Sequence, residues 1–113
     1  MKLPVKKQVM EQGLESLGVH PTSLEGSAPE TSWLEVYSDD EGRESGIWEC
    51  TPGKYRMERE SDEFCYILQG HWKLISDDGE VSEVKAGDAI FLRNGWCGPS
   101  HIIETVRKVF MIG

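Results

Sequence analysis

The sequence predicts an all-β protein, a single antiparallel jelly roll or small barrel behind a short irregular or helical N-terminal segment. Three observations carry that prediction. Twelve glycines and five prolines punctuate the chain into short runs rich in β-branched and aromatic residues, spaced at about ten residues. No helix-period stretch longer than a few turns interrupts these runs beyond residue 31. No crossover helix is available to return the chain in the same direction, which excludes a parallel sheet.

The elements follow in order. In residues 1–30, Val5, Val9, Met10, Leu14 and Leu17 fit a helical stripe, but Gly13 sits in its middle, so a short helix and a turn are both compatible with it. Residues 18–30, with Pro21, Gly26, Ser27 and Pro29, read as a linker laid over the body. The barrel is expected to occupy residues 31–113. Residues 31–37 and 46–51 are strands separated by a turn ending at Gly42, and Pro52-Gly53 breaks the chain. Residues 55–58 form a short strand and residues 64–69 a strong one, with Gly70 expected to turn it into a strand over 71–76. Asp78-Gly79 makes a hairpin to residues 80–85, because this pair supplies the positive φ values that tight hairpins need. A turn at residues 86–88 leads into 89–93, Asn94-Gly95 turns again, and runs at 101–105 and 106–112 close the chain.

Composition bounds the function. At 113 residues the chain has the size of one domain and hides roughly two thirds of its unfolded surface on folding, enough for a core without disulfide or zinc staples. Twenty acids against twelve bases give a net charge of −8, and no basic run is long enough to bind a polyanion. Nucleic acid and anionic membranes are therefore unsuitable partners. No apolar export or membrane-spanning segment is visible. Cys50, Cys65 and Cys97 match neither a disulfide framework nor a zinc-finger spacing, which points to a reducing cytoplasm.

Two stretches are more specific than composition. The first ends in Glu63-Phe-Cys-Tyr-Ile-Leu-Gln-Gly70 and the second is Gly87-Asp-Ala-Ile-Phe-Leu-Arg-Asn-Gly95. Together they resemble the two motifs of the cupin superfamily, and with the Trp48-Glu-Cys-Thr-Pro-Gly53 and Glu104-Thr-Val-Arg-Lys108 segments they are similar to the short group that includes (S)-ureidoglycine aminohydrolase cupin domains and ethanolamine-utilisation Q-type cupins. The resemblance implies a cupin barrel and a homodimer. In metal-binding cupins two histidines and a glutamate of the first motif, with one histidine of the second, hold manganese, iron, nickel or zinc. Counting from Glu63, the first-motif histidine positions fall on Met57 and Arg59, or on Arg56 and Glu58; Arg93 stands where proline is usual and Gly98 at the second-motif histidine. Only Glu63 remains of the four ligands. The manganese-dependent release of ammonia from ureidoglycine therefore does not carry over, and no cofactor is expected, with a divalent metal as the alternative.

Glu63 is the first candidate residue. Strand alternation sends Glu63, Cys65 and Ile67 to one face and Phe64, Tyr66 and Leu68 to the other. Among apolar walls its carboxyl should be shifted upward, as an acid or base requires, unless a cation pairs it; an ion pair with Arg56, Arg59 or Arg93 is the structural alternative. Arg59 and Arg93 can substitute for a metal's charge and clamp a carboxylate or phosphate, or else form surface pairs with Glu58, Glu60 or Asp62. His101 with Glu63, and with Cys50 or Cys65, is a weaker metal-site alternative that needs a bulge to point inward. Trp48 or Trp96 would supply a pocket wall beside Cys65. The function expected is binding of a small polar or anionic metabolite in the barrel mouth. An enzyme of lyase, hydrolase or isomerase type using Glu63, and a structural or assembly subunit, are the alternatives. Arg56, Arg59 and Arg93 together predict a basic mouth on an acidic body.

Overall fold

A computed structural model describes residues 1–113. It contains no helix and eight strands: β1 Glu15–Val19, β2 Glu30–Ser38, β3 Glu44–Cys50, β4 Gly53–Glu58, β5 Glu63–Ile75, β6 Val81–Lys85, β7 Ala89–Leu92 and β8 Cys97–Ile112. Every pairing is antiparallel, and the main path runs β1-β2-β3-β8-β5-β6, with β4 added to β8 and β7 to β5. This is the expected jelly-roll barrel.

Two long strands organise it. The second half of β8 pairs with β3 and with the first half of β5, and the first half of β8 pairs with β4 and with the second half of β5. Both strands therefore run through both halves of one eight-stranded sheet and must bend between them. The bend in β5 falls at Gly70, where φ is +101° and an added Cβ would lie 2.1 Å from the Thr105 carbonyl oxygen. The register shifts there as well. The sequence suggested a turn at this point; the observed strand passes through it as a bulged bend, because the alternation of apolar residues resumes on the same side at Trp72 and Leu74. At Gly98 the backbone of β8 crosses that of β5 so closely that a Cβ would stand 2.0 Å from the Ile75 carbonyl oxygen.

The core lies between the two halves and is filled from inward positions of β3, β4, β5, β6, β7 and β8. Cys65, Ile67, Trp72, Leu74, Ile102 and Val106 are sealed from solvent. Trp72 keeps its polar edge satisfied by donating from Nε1 to Ser100 Oγ at 2.6 Å, as a buried indole N–H must.

The N-terminal stripe does not fold as a helix. Residues 9–11 make a turn and Glu15–Val19 joins the sheet beside β2, N-terminal to the expected barrel boundary. Gly13 disfavours a helix by about 1 kcal/mol relative to alanine, and the carbonyls a helix would use are directed elsewhere. Arg107 Nη1 donates to the carbonyl oxygens of Val9, Met10 and Gln12, each at 3.0 Å, while its Nε pairs with Glu49 at 2.9 Å. The segment read as a linker is likewise pinned to β4: Leu24 N donates to the Lys54 carbonyl, Arg56 N to the Thr22 carbonyl, and Ser23 bridges Tyr55. This brings His20 and Thr22 to the barrel opening.

Gly98→Ala is expected to destabilise the protein by about 3 kcal/mol or more, because the Ile75–Ser76 backbone occupies the space of the new methyl group. Gly13→Ala, which meets nothing within 4 Å, should stay within about 0.5 kcal/mol of the parent. Urea unfolding midpoints compare the two, and equal effects would show that the close β5–β8 crossing is not a constraint.

Candidate functional site

The inward rows of the barrel meet in a cavity of about 920 Å³. β5 supplies Glu63, β8 supplies Lys108, Phe110 and Ile112, β3 supplies Glu44 and Trp48, and β2 supplies Trp33. Tyr55 and Met57 of β4, Arg59 just beyond it, and His20 and Thr22 of the N-terminal segment close the other side.

Glu63 is the centre of this arrangement and only 4% exposed. Its Oε2 accepts from Lys108 Nζ at 2.5 Å and from the Cys65 thiol at 2.9 Å, while Oε1 faces Arg59 Nη2 at 2.9 Å. Burial by itself pushes this carboxyl up; the Lys108 charge, the Cys65 thiol and the Arg59 guanidinium outweigh it and hold the group below its ordinary 4.5. A carboxylate kept ionised with both oxygens engaged is a weak general base and no acid near neutral pH. Lys108 is itself enclosed by aromatic faces, its Nζ 4.5 Å from the Trp48 ring, 5.0 Å from Trp72 and 5.8 Å from Phe110. Cation–π attraction of this kind contributes roughly 1–2 kcal/mol where water is excluded. Arg59 retains a buried Nε with no acceptor.

The cysteines in this region are inert as nucleophiles. Burial pushes the thiols of Cys50 and Cys65 up to about 12, against the pull of Lys108. Burial also raises the Tyr55 phenol, whose ring stacks on His20 at 3.9 Å between centroids; burial lowers the His20 imidazole. Thr22 N–H donates to His20 Nδ1 at 3.2 Å, which assigns the ring proton to Nε2.

The residues do not fit a metal centre. No three His, Cys, Asp or Glu side chains converge as a ligand set. Gly98, at the second-motif ligand position, has no room for any side chain. The cations facing Glu63 are the ammonium of Lys108 and the guanidinium of Arg59.

The sequence-derived candidates thus separate. Glu63, Arg59, Cys65 and Trp48 come together around the cavity, with Cys65 beneath it as the thiol donor to Glu63. Arg93 and Trp96 line a different cavity of about 220 Å³ with Leu74, Ile90 and Leu92. The alternation that places Leu92 inward opposite Glu63 turns the next residue, Arg93, outward. His101 stands between Lys54 and Lys73 on the outer face of β8, where burial and those two lysines depress its pKa, and it does not line the cavity of Glu63. The basic mouth is also corrected: Arg59 is turned inward, Arg56 is paired with Asp77 and Glu58, and the exposed cavity residues at the rim include Glu58 and Glu60. The lysine at the centre was missed. Its signal was the inward series Val106, Lys108, Phe110, Ile112, in which a single cation occupies an apolar row.

Comparisons with known proteins agree with this architecture. Residues 37–110 match the family described as the EutQ-like cupin domain. No curated protein matches the chain by sequence. Among solved structures, a protein of unknown function from Pseudomonas syringae pv. tomato superposes with a TM-score of 0.80 at 18% identity, over 91% of this chain and 45% of its own. The Clostridium difficile EutQ protein gives 0.65 at 16% identity, over 77% of this chain and 63% of its own. A putative ethanolamine utilization protein Q from Salmonella typhimurium gives 0.67 at 18% identity, over 88% and 93%. The chain spans less than two thirds of the Pseudomonas and Clostridium proteins, and at these identities the likeness is one of fold.

Glu63→Gln and Lys108→Met should each destabilise the protein by about 3–5 kcal/mol, because each strands a buried charge. The double variant should lose less than the sum. The lowered carboxyl sets the pH dependence: ionised Glu63 contributes stability above its unfolded value near 4.5, and that contribution is lost as pH falls through the lower folded value. Between pH 7 and pH 3 the parent should lose more stability than Glu63→Gln, measured as urea midpoints. Parallel loss in both proteins would remove Glu63 as a source of acid sensitivity.

Proposed function

The chain belongs to the EutQ-like cupin domain family, and from that premise we propose that it is a metal-independent binding protein for a small organic anion held in the barrel cavity. One observation carries this reading: two cations, the part-buried Arg59 and the buried Lys108, face a single carboxylate, Glu63, inside a cavity walled by Trp33, Trp48 and Phe110. The excess positive charge favours an anionic head group, charge-assisted donors on Arg59 and Lys108 suit a carboxylate, and the aromatic walls suit an apolar body. The enzyme alternative asks Glu63 to exchange a proton, which its engaged oxygens and depressed carboxyl oppose.

The same reading takes the protein as a cytoplasmic homodimer. Its three cysteines are free. Phe64 of β5 lies between Phe91 of β7 and Met111 of β8 in register, with Tyr66 in the next row, and all four are 42–59% exposed on the outer face. At roughly 100 Å² each they supply about half of the area that one partner buries in a standard interface, with a second copy of the chain as the occupant.

Thermal-shift titration with acetate, hexanoate and benzoate tests the cavity. Hexanoate and benzoate should stabilise the protein more than acetate, hexanol and benzyl alcohol should not stabilise it, and Arg59→Gln should weaken the response about tenfold or more. Manganese, iron, nickel and zinc should leave the response unchanged; a ligand response that appears only with one of these metals would overturn the reading. Sedimentation should give a dimer for the parent and a monomer for Phe64→Lys, and a monomeric parent would dispose of the dimer.

A further inference from the structure

The cavity is charged unevenly. Its buried part holds Arg59 and Lys108 against Glu63. Its rim holds Glu44, Glu58 and Glu60 against Arg56 alone, and Arg56 is already engaged by Asp77 through Nη1 at 2.9 Å and Nη2 at 2.6 Å and by Glu58 through Nε at 3.0 Å. Glu44 and Glu60 line the cavity, and neither is among the residues that form salt bridges. The two regions are separated in a defined way. Glu44 stands opposite Ile112 on β8, and Ile112 stands opposite Glu63 on β5. The backbones at Glu44 and Glu63 are therefore two inter-strand spacings apart, roughly 10 Å, with the Ile112 side chain between them and Trp33, Trp48 and Phe110 along the same wall.

We propose that the ligand of this cavity is a zwitterion of extended shape: a carboxylate held by Arg59 and Lys108, an apolar or aromatic middle against Trp33, Trp48 and Phe110, and an ammonium group at Glu44 and Glu60. The assignment rests on the organic-anion reading and narrows it. A simple anion satisfies the buried cations but carries its charge past the acidic rim. A simple cation is drawn to the rim but meets net positive charge inside. A molecule with both charges at the ends of an apolar spacer meets an opposite charge at each end and apolar surface between, so its ammonium adds attraction where the simple anion meets none. Glu44 is half-buried and Glu60 exposed, so the ammonium end is the more sensitive to salt.

Isothermal titration of the full chain with 4-(aminomethyl)benzoate, benzoate and benzylamine tests this. The zwitterion should bind about tenfold more tightly than benzoate, as expected for a charge-assisted contact at a partly solvated site, and benzylamine should be the weakest. In the Glu44→Gln/Glu60→Gln double variant the preference for the zwitterion should fall below about twofold, while benzoate binds at least as tightly as to the parent. Benzoate binding as tightly as the zwitterion to the parent, or an undiminished preference in the double variant, would overturn the zwitterion and leave the organic-anion reading standing. Binding of benzylamine alone, or of no carboxylate at all, would overturn both.

Discussion

The site depends on one buried ionic contact, the carboxylate of Glu63 between the ammonium of Lys108 and the guanidinium of Arg59. Taking three charges out of water is costly, and the cluster is tolerable only because each charge has a specific partner. Oε1 is covered by Arg59, Oε2 by Lys108 and the Cys65 thiol, and the ammonium also lies near the faces of Trp48 and Trp72. The aromatic rings thus belong to the electrostatics as well as to the walls. They also fix where Lys108 points: its stem rises along the inward row of β8 toward Glu63, which stands opposite Ile112, two rows nearer the end of the strand.

That contact is compatible with the barrel only because of how β5 and β8 cross. The two strands run through both halves of the sheet, and their close passages at Gly70 and Gly98 leave no space for a Cβ. Closing the barrel tightly at Gly98 removes the position from which a second-motif side chain would reach inward. Gly98 therefore offers no inward side chain for a backbone reason, and a positive charge beside Glu63 comes from a lysine on the other half of the same strand.

Much of this was legible beforehand. Turn residues and alternation located nearly every strand, because glycine, proline and Asp-Gly pairs act locally. The continuous course of β5 through Gly70 was not, since a glycine that turns a hairpin and one that allows a bulged bend look alike without the partner strand. The N-terminal stripe left a helix and a turn both open for a similar reason: its fate was decided by Arg107, nearly a hundred residues away, which takes the carbonyls of Val9, Met10 and Gln12. Within the site, Glu63 and Arg59 were visible through their motif positions, and Trp48 through its strand. Arg93 and Trp96 were drawn in by proximity to a motif, whereas alternation after Leu92 turns Arg93 away. Lys108 was overlooked because a lysine is ordinarily read as surface, although its neighbours two residues away on either side are Val106 and Phe110.

The distribution of charge also bears on how a ligand arrives. With a net charge of −8 the body repels anions at a distance, over a range of about 10 Å at moderate salt, while the cations that favour an anion are buried and act only at short range. A cavity built for a simple anion would gain from a basic rim that funnels it inward; here Arg59 is turned inward, Arg56 is paired and Arg93 lines a different cavity. A ligand with no net charge escapes the long-range repulsion. It is oriented only on entering, its carboxylate toward Arg59 and Lys108 and its positive end toward Glu44 and Glu60, so the acidic body and the basic interior cease to conflict.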